Sequence, residues 1–258
     1  MSVAPRPLGI DLDIVGAGPA YTDRLGATGA AYLVRHETTG ILLDLGQGAF
    51  PRLANLVDPA SLDAVLISHL HPDHFIDLVP LRHYLRWGPG HPRRIRVIGP
   101  SDLDTRLDGL HAEPGFSSGA LDVEPIAAGV TPIGSIEVEV ARVTHNGESY
   151  GFRMSVASGP GLVYSGDCGR AEDLDPLVRP GDTLLCEVSF GPGPVPADAA
   201  HLDAPAVGGL ANRTGAGQVL LTHLLMGHDL DETIAGVRRV YDGPVTFVQP
   251  GDRFAITG

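Results

Sequence analysis

Ser68-His69-Leu70-His71-Pro72-Asp73-His74 is the stretch of this chain that decides its reading. The apolar run just before it, at 64–68, reads as a buried strand that ends directly at His69. A helix is expected from near His74 toward Trp87, with Pro80 as a candidate kink. A buried strand therefore delivers three histidines and a carboxylate within a few positions, on a loop that opens a helix. Core packing has no use for such a cluster, because each buried imidazole needs its own hydrogen-bond partner. Metal chemistry does, since neutral imidazoles and carboxylates hold zinc while leaving positions open for water and substrate. His69 and His71 alternate along an extended segment, so both can face one ion. Asp73 and His74 lie beyond a turn fixed by Pro72 and can reach a second.

Working outward, short strands are expected at 9–15, 30–35 and 41–44, with a polar turn at 37–40 and a helix at 49–56. A strand at 94–98 precedes a helix at 101–110 capped by Ser101. The second half repeats this grammar. Residues 135–144 alternate apolar and polar and end at His145, and strands follow at 151–155, 162–165 and 183–188. Asp203 caps a helix running through Asn212, 218–222 is a strand ending at His223, and 231–241 is an amphipathic helix. Strands at 244–248 and 253–257 close the chain. The Pro/Gly-rich stretches 112–119 and 191–198 read as surface loops. Two halves of this kind predict two packed mixed sheets with helices outside, in one domain over 1–258. His145, Asp167 and His223 each end a strand, and strand ends arriving at one sheet edge are where a compact site forms.

Composition narrows the classes. The chain has 258 residues, 43% hydrophobic and 19% charged, which is ordinary globular composition. No apolar run approaches a membrane span, so no membrane partner is expected. A net charge of -13 opposes nucleic acid at long range. All 18 basic residues are arginine, which excludes Schiff-base chemistry and a P-loop lysine. Cys168 and Cys186 are too few for a disulfide framework, and the N-terminal segment lacks a secretory pattern, so a cytoplasmic location is expected. Arg82, Arg86, Arg93, Arg94 and Arg96 cluster around Trp87 with no acidic residue among them. That segment is either a solvated face or a patch that attracts an anionic substrate or packs on a second subunit as a homodimer.

The motif His69-x-His71-x-Asp73-His74, followed in order by His145, Asp167 and His223, resembles the metallo-β-lactamase superfamily across essentially the whole chain. The resemblance implies a four-layer αββα sandwich, an α/β fold. It implies that His69, His71 and His145 hold one divalent ion, that Asp73, His74 and His223 hold another, and that Asp167 bridges them. The ions are expected to be zinc, with manganese as an alternative. Asp44, in Leu42-Leu43-Asp44-Leu45-Gly46, matches the superfamily's first motif and would orient a ligand without being one.

Within the superfamily the pattern is similar to the ribonuclease Z and small-phosphodiesterase branch. The resemblance rests on Val143-Thr144-His145 with Tyr150-Gly151-Phe152-Arg153, on Glu187 in Leu185-Cys186-Glu187-Val188-Ser189-Phe190, and on His201-Leu202-Asp203-Ala204. It implies that Glu187 and His201 pair, with His201 as general acid. Ribonuclease Z carries a long basic arm between the third histidine motif and the aspartate motif. Only 21 residues lie between His145 and Asp167 here, so tRNA is not an expected partner.

The expected reaction is hydrolysis of a small anionic phosphodiester, a cyclic nucleotide or a short RNA-like diester, through a metal-bridging hydroxide. Asp73 would position it and His201 would protonate the leaving oxygen. Alternatives are a lactone, thioester or sulfate-ester hydrolase on the same ions, and a non-catalytic metal- or nucleotide-binding module. His36, His83, His91, His111 and His228 have no ligand-like neighbours, though His228 is near enough to His223 to line a pocket. Cys168 shows no activating base, and Gly16-Ala17-Gly18 lacks the rest of a dinucleotide fingerprint.

Overall fold

The computed structural model describes residues 9–90, 92–156 and 159–257, so the expectations for residues 1–8 and His91 lie outside the described residues. In the first half, β1 (Ile10–Gly16), β2 (Ala31–His36) and β3 (Thr39–Leu43) form an antiparallel meander. β4 (Ala64–Leu66), β5 (Ile95–Gly99) and β6 (Leu121–Pro125) extend it in parallel. The second half repeats this plan. β7 (Gly129–Ile133), β8 (Ile136–Arg142), β9 (Tyr150–Ser155) and β10 (Leu162–Tyr164) are antiparallel, and β11 (Thr183–Glu187), β12 (Gln218–Thr222) and β13 (Val245–Phe247) continue in parallel. β14 (Arg253–Ile256) crosses back to pair with β1. The result is two seven-stranded sheets, β14-β1-β2-β3-β4-β5-β6 and β13-β12-β11-β10-β9-β8-β7.

Side-chain alternation explains the layers. Successive strand residues face opposite sides of a sheet, so a strand covered on both sides must be apolar throughout. Tyr32 and Val34 of β2 point into the core between the sheets, whereas Ala31 and Leu33 point into the helical layer outside. On β12, Leu220 faces the other sheet and Val219 and Leu221 face outward. The helices α1 (Phe50–Leu56), α2 (Pro72–Phe75), α3 (Leu78–Trp87) and α4 (Leu103–His111) belong to the first half of the chain. Leu53, Leu81, Leu85, Leu103 and Leu107 from them cover the first sheet. α5 (Ala204–Thr214) and α6 (Leu230–Arg238) cover the second through Val207, Leu210 and Val237. The four-layer αββα sandwich is thus the observed fold. No helix among the described residues is long and apolar enough to cross a membrane.

The structure corrects several expectations. The single helix from His74 to Trp87 is two helices, because the backbone of Leu45 clips between them. Its N–H donates to the His74 carbonyl at 2.7 Å, and its carbonyl accepts from Asp77 N–H at 3.0 Å. Pro80 lies in the first turn of α3, where its missing N–H costs nothing. Ser101 does not cap α4. Its N–H and hydroxyl both donate to Glu148, and Asp102 takes the N-cap position. β6 and β7 were not expected. The 112–119 stretch is not purely surface, since Phe116 within it is fully buried.

Candidate metal centre

Strand ends gather the site, but from two sheets and not from one edge. The metal loop leaves β4 in the first sheet, while His145, Asp167 and His223 follow β8, β10 and β12 in the second. Ligand atoms of His69, His71, His145 and Asp167 all lie within 4.8 Å of one another, as do those of Asp73, His74 and His223. Asp167 faces both groups. Its Oδ2 lies 3.6 Å from His69 Nε2 and 3.7 Å from His145 Nε2, and its Oδ1 lies 3.3 Å from His74 Nε2 and 3.5 Å from His223 Nε2. The carboxylate has the position of a bridge.

Three features show that this set fits metal ions. First, His74 Nε2 and His223 Nε2 are 3.2 Å apart, as are His71 Nδ1 and His145 Nε2. Bare imidazole nitrogens that close repel unless a cation sits between them. The spacing is near the ~3.3–3.4 Å edge of a tetrahedron with metal–nitrogen bonds of ~2.0–2.1 Å. Second, His69 Nε2, Asp73 Oδ1 and Asp167 Oδ1 are buried without a hydrogen-bond partner. Orphans of this kind are rare in native interiors, and a bound ion satisfies all three.

Third, four of the five candidate imidazoles, all but His71, have their other ring nitrogen anchored, which leaves the facing nitrogen free to ligate. His74 Nδ1–H donates to Asp44 at 2.7 Å, His145 Nδ1–H to the Ala200 carbonyl at 2.7 Å, and His69 Nδ1–H to Ser68 Oγ at 3.1 Å. His223 Nδ1–H donates to Ser189 Oγ at 3.0 Å. Asp44 is itself held by Ser68 N–H at 2.7 Å, the Ser68 hydroxyl at 2.8 Å and the Tyr164 hydroxyl at 2.6 Å.

The electrostatics divide the two ligand sets. Burial holds His69, His71 and His145 below the usual histidine range, the neutral form that binds metal. Burial also opposes charge on His74 and His223, but the carboxylates around them, Asp167 foremost, outweigh it and raise both. Burial likewise opposes ionisation of Asp167, and His223, His74 and His69 overcome it to keep the carboxylate well below its ordinary value.

The beta-lactamase superfamily domain model matches residues 40–224, spanning the metal loop through His223. The chain belongs to the metallo-β-lactamase superfamily. An uncharacterized protein of Mycobacterium leprae is 33% identical over 94% of this chain and 92% of its own length. The probable metallo-hydrolase YhfI of Bacillus subtilis is 25% identical over 86% of this chain and 90% of its own. A ribonuclease Z of Mycobacterium bovis is 26% identical over 83% and 85%. Among solved structures, YhfI superposes with a TM-score of 0.83 at 21% identity, covering 95% of this chain and 99% of that one. A diphosphatase of the PhnP family gives 0.74 at 16% (95% and 97% covered), and yeast PDE1 gives 0.71 at 13% (96% and 99%). The superfamily member described here is a metallo-hydrolase near the ribonuclease Z-like enzymes.

The remaining expected residues also fall into place around this superfamily centre. His201 Nδ1–H donates to Glu187 Oε1 at 3.0 Å, and the His201 ring meets that of His145 at 4.8 Å between centroids. Burial opposes its charge, but the Glu187 hydrogen bond and the Glu187 and Asp167 charges push His201 up to about 9. Atoms of His201, Asp167 and His223 also lie within 4.8 Å of one another, yet the His201 nitrogen nearest Asp167 is Nδ1, which Glu187 already engages. His228 makes a ring contact with Phe190 at 5.9 Å and none with His223. Cys168 and Cys186 are buried, which pushes both thiols up and leaves no nucleophile.

Three residues that the sequence did not single out complete the site: Ser68, Tyr164 and Ser189. The Ser189 hydroxyl donates to Glu187 and accepts from His223, and it lies 3.2 Å from His201 Nδ1. One hydroxyl thus joins the Glu187–His201 pair to a candidate ligand. Its only signal was its place two residues after Glu187.

The arginine segment is largely neutralised in the fold. Arg93 pairs with Asp58 at 2.7 Å, Arg96 with Glu124 at 2.8 Å, and Arg94 with Asp122. Arg82 is buried, donating to the Phe116 carbonyl at 2.8 Å and lying over its ring. Arg86 stacks on the exposed Trp87.

Proposed function

We propose that the chain hydrolyses small phosphodiesters, a cyclic nucleotide or a short RNA-like diester, with two divalent ions, zinc or manganese. The observation that carries this reading is His201. It is held by Glu187 beside Asp167 and His145, and the Glu187 carboxylate favours its protonated form. A phosphodiester whose leaving group is a sugar hydroxyl needs such an acid, because an unprotonated alkoxide leaves slowly.

His69, His71 and His145 would hold one ion and Asp73, His74 and His223 the other, with Asp167 shared. When bound, the ions neutralise charge on the phosphoryl oxygens and make a water acidic enough to ionise near neutral pH. The chain's own groups do the rest. Asp73, whose Oδ2 lies 3.1 Å from His223 Nε2, would also position the attacking water. His201 gives its proton to the departing oxygen, while Glu187 orients the ring and stabilises its charged form. Ser189 fixes Glu187. The similarity to a diphosphatase, yeast PDE1 and ribonuclease Z supports phosphorus chemistry. β9 and β10 fill the interval between His145 and Asp167, where an RNA-gripping arm would have to be inserted.

His201→Ala should lower turnover roughly 10²–10⁴-fold on diesters with alkoxide leaving groups and leave metal content unchanged. The loss should shrink for nitrophenyl diesters, whose leaving group needs no proton. An equal loss on both would assign His201 a positional role and remove the main support for this reading.

A further inference from the structure

The segment between β1 and β2 arches beside the metal centre, tied to it at both ends. The Ala17 carbonyl accepts from His223 N–H at 3.1 Å, and Ala30 N–H donates to the Asp73 carbonyl at 2.8 Å. Against this arch lies a cavity of about 380 Å³, walled also by α1, the start of α6 and the segment after β13. That volume is in the range of small-molecule sites. The lining brings together Arg24, Arg52, Thr22, Gln249, Phe247 and Leu230, and no acidic residue lines it among the described residues.

Two arginines without a carboxylate partner among the described residues share this cavity. In a chain of net charge -13, Arg35, Arg93, Arg94, Arg96, Arg153 and Arg213 each meet a carboxylate. Arg24 and Arg52 meet none among the described residues. Each donates to one carbonyl: Arg24 Nη1 to Leu224 O at 2.7 Å and Arg52 Nη2 to Gly26 O at 3.0 Å. Their remaining N–H groups are free for an anion. The Arg24 guanidinium lies 5.7 Å from the centre of the Phe247 ring, so charge and an aromatic surface are adjacent. Leu25 stands fully exposed on the same lining, with Tyr21 exposed four residues earlier.

We propose that this cavity is a binding site for an aromatic organic phosphate of mononucleotide size. The phosphate would be held by Arg24 and Arg52 and the ring would lie against Phe247 and Leu25. Arginine suits this because its planar fork meets phosphate oxygens in pairs. Ala17 lines the cavity and its carbonyl accepts from His223 N–H, so the cavity adjoins the backbone that carries one residue of the second ligand set. This phosphate is not the scissile one, which the two ions would hold; assigning the occupant to a diester cleaved there rests on the phosphodiesterase reading. The binding itself does not.

The test is calorimetric titration of the metal-loaded protein with adenosine monophosphate, adenosine and inorganic phosphate, repeated on Arg52→Gln, Arg24→Gln and the double variant. The nucleotide should bind more tightly than either adenosine or phosphate. Each substitution should weaken it about tenfold or more, as loss of a charge-assisted contact does. Arg52 is exposed and makes one hydrogen bond to the chain, to the Gly26 carbonyl, so Arg52→Gln should melt with the wild type, which keeps the result readable if Arg24→Gln disturbs the arch. Equal affinity in wild type and Arg52→Gln would overturn the proposal. So would a nucleotide affinity no better than that of inorganic phosphate, which would place the contact at the metal centre alone. Absence of diester turnover with arginine-dependent nucleotide binding intact would instead refute the proposed reaction and leave this site standing.

Discussion

Asp167 offers one carboxylate oxygen to each ligand set, and this gives it a different standing from any single histidine. Asp167→Asn should therefore lower the content of both ions, whereas His69→Ala should chiefly affect one; metal analysis of the two purified variants distinguishes them. At the acid, the sign follows from which form works. His201 acts while protonated, and its value near 9 lies above the free histidine value of ~6.5. Activity on alkoxide-leaving diesters should thus persist below that point and fall as pH rises through it. Glu187→Gln removes the charge that supports the proton, so the alkaline limb of the kcat profile should move to lower pH. An unmoved limb would mean that another group carries the proton. The candidate ligands were legible at this scale because three histidines and a carboxylate in one short loop have no packing use. Ser68, Tyr164 and Ser189 were not. Serine and tyrosine are common in strands and turns, and only the fold shows which hydroxyl meets Asp44 or Glu187.

Among the elements, the strands that end at candidate ligands were legible, since each is an apolar run stopped by a histidine or aspartate. β6 and β7 were missed because they are partly exposed edge strands, with few buried positions to create a period. The division of α2 from α3 was missed because its cause, the Leu45 clip, comes from a remote segment. That segment also explains Gly46, where an added Cβ would lie 1.8 Å from the Asp73 carbonyl oxygen. Gly46→Ala should push the metal loop out of place, lowering both thermal stability and metal content. A second dependence sits away from the site. The buried Asp182 carboxylate accepts from Arg153 Nε at 2.7 Å, Gly161 N–H at 2.6 Å and Arg179 N–H at 2.9 Å, joining β9 to the turns before β10 and β11. Asp182→Ala would leave the buried Arg153 with Glu139 as its one carboxylate and strip the Gly161 and Arg179 N–H groups of their acceptor. It should cost about 3–5 kcal/mol in denaturant unfolding, with the metal ligands untouched in sequence.

For the whole molecule, charge decides which substrates approach. The net charge of -13 opposes a polyanion, and the arginine segment at 82–96 is mostly committed to Asp58, Asp122, Glu124 and the Phe116 carbonyl. Phosphate-rich partners are normally held by several free arginine or lysine contacts. Small diesters should therefore be turned over and precursor tRNA left uncut at physiological salt, a comparison that one set of assays makes directly. The two-sheet plan was legible as a repeated order of strands and helices. The return of β14 to the first sheet and the meeting of both sheets' strand ends were not, because pairing between distant segments leaves no local pattern. Everything argued about catalysis depends on that meeting point holding two ions. The direct measurement is the metal content of protein purified without chelator, by elemental mass spectrometry. Two divalent ions per chain are expected, with the content falling as acid protonates the ligand imidazoles. No more than a trace of metal in folded protein at neutral pH would contradict that expectation.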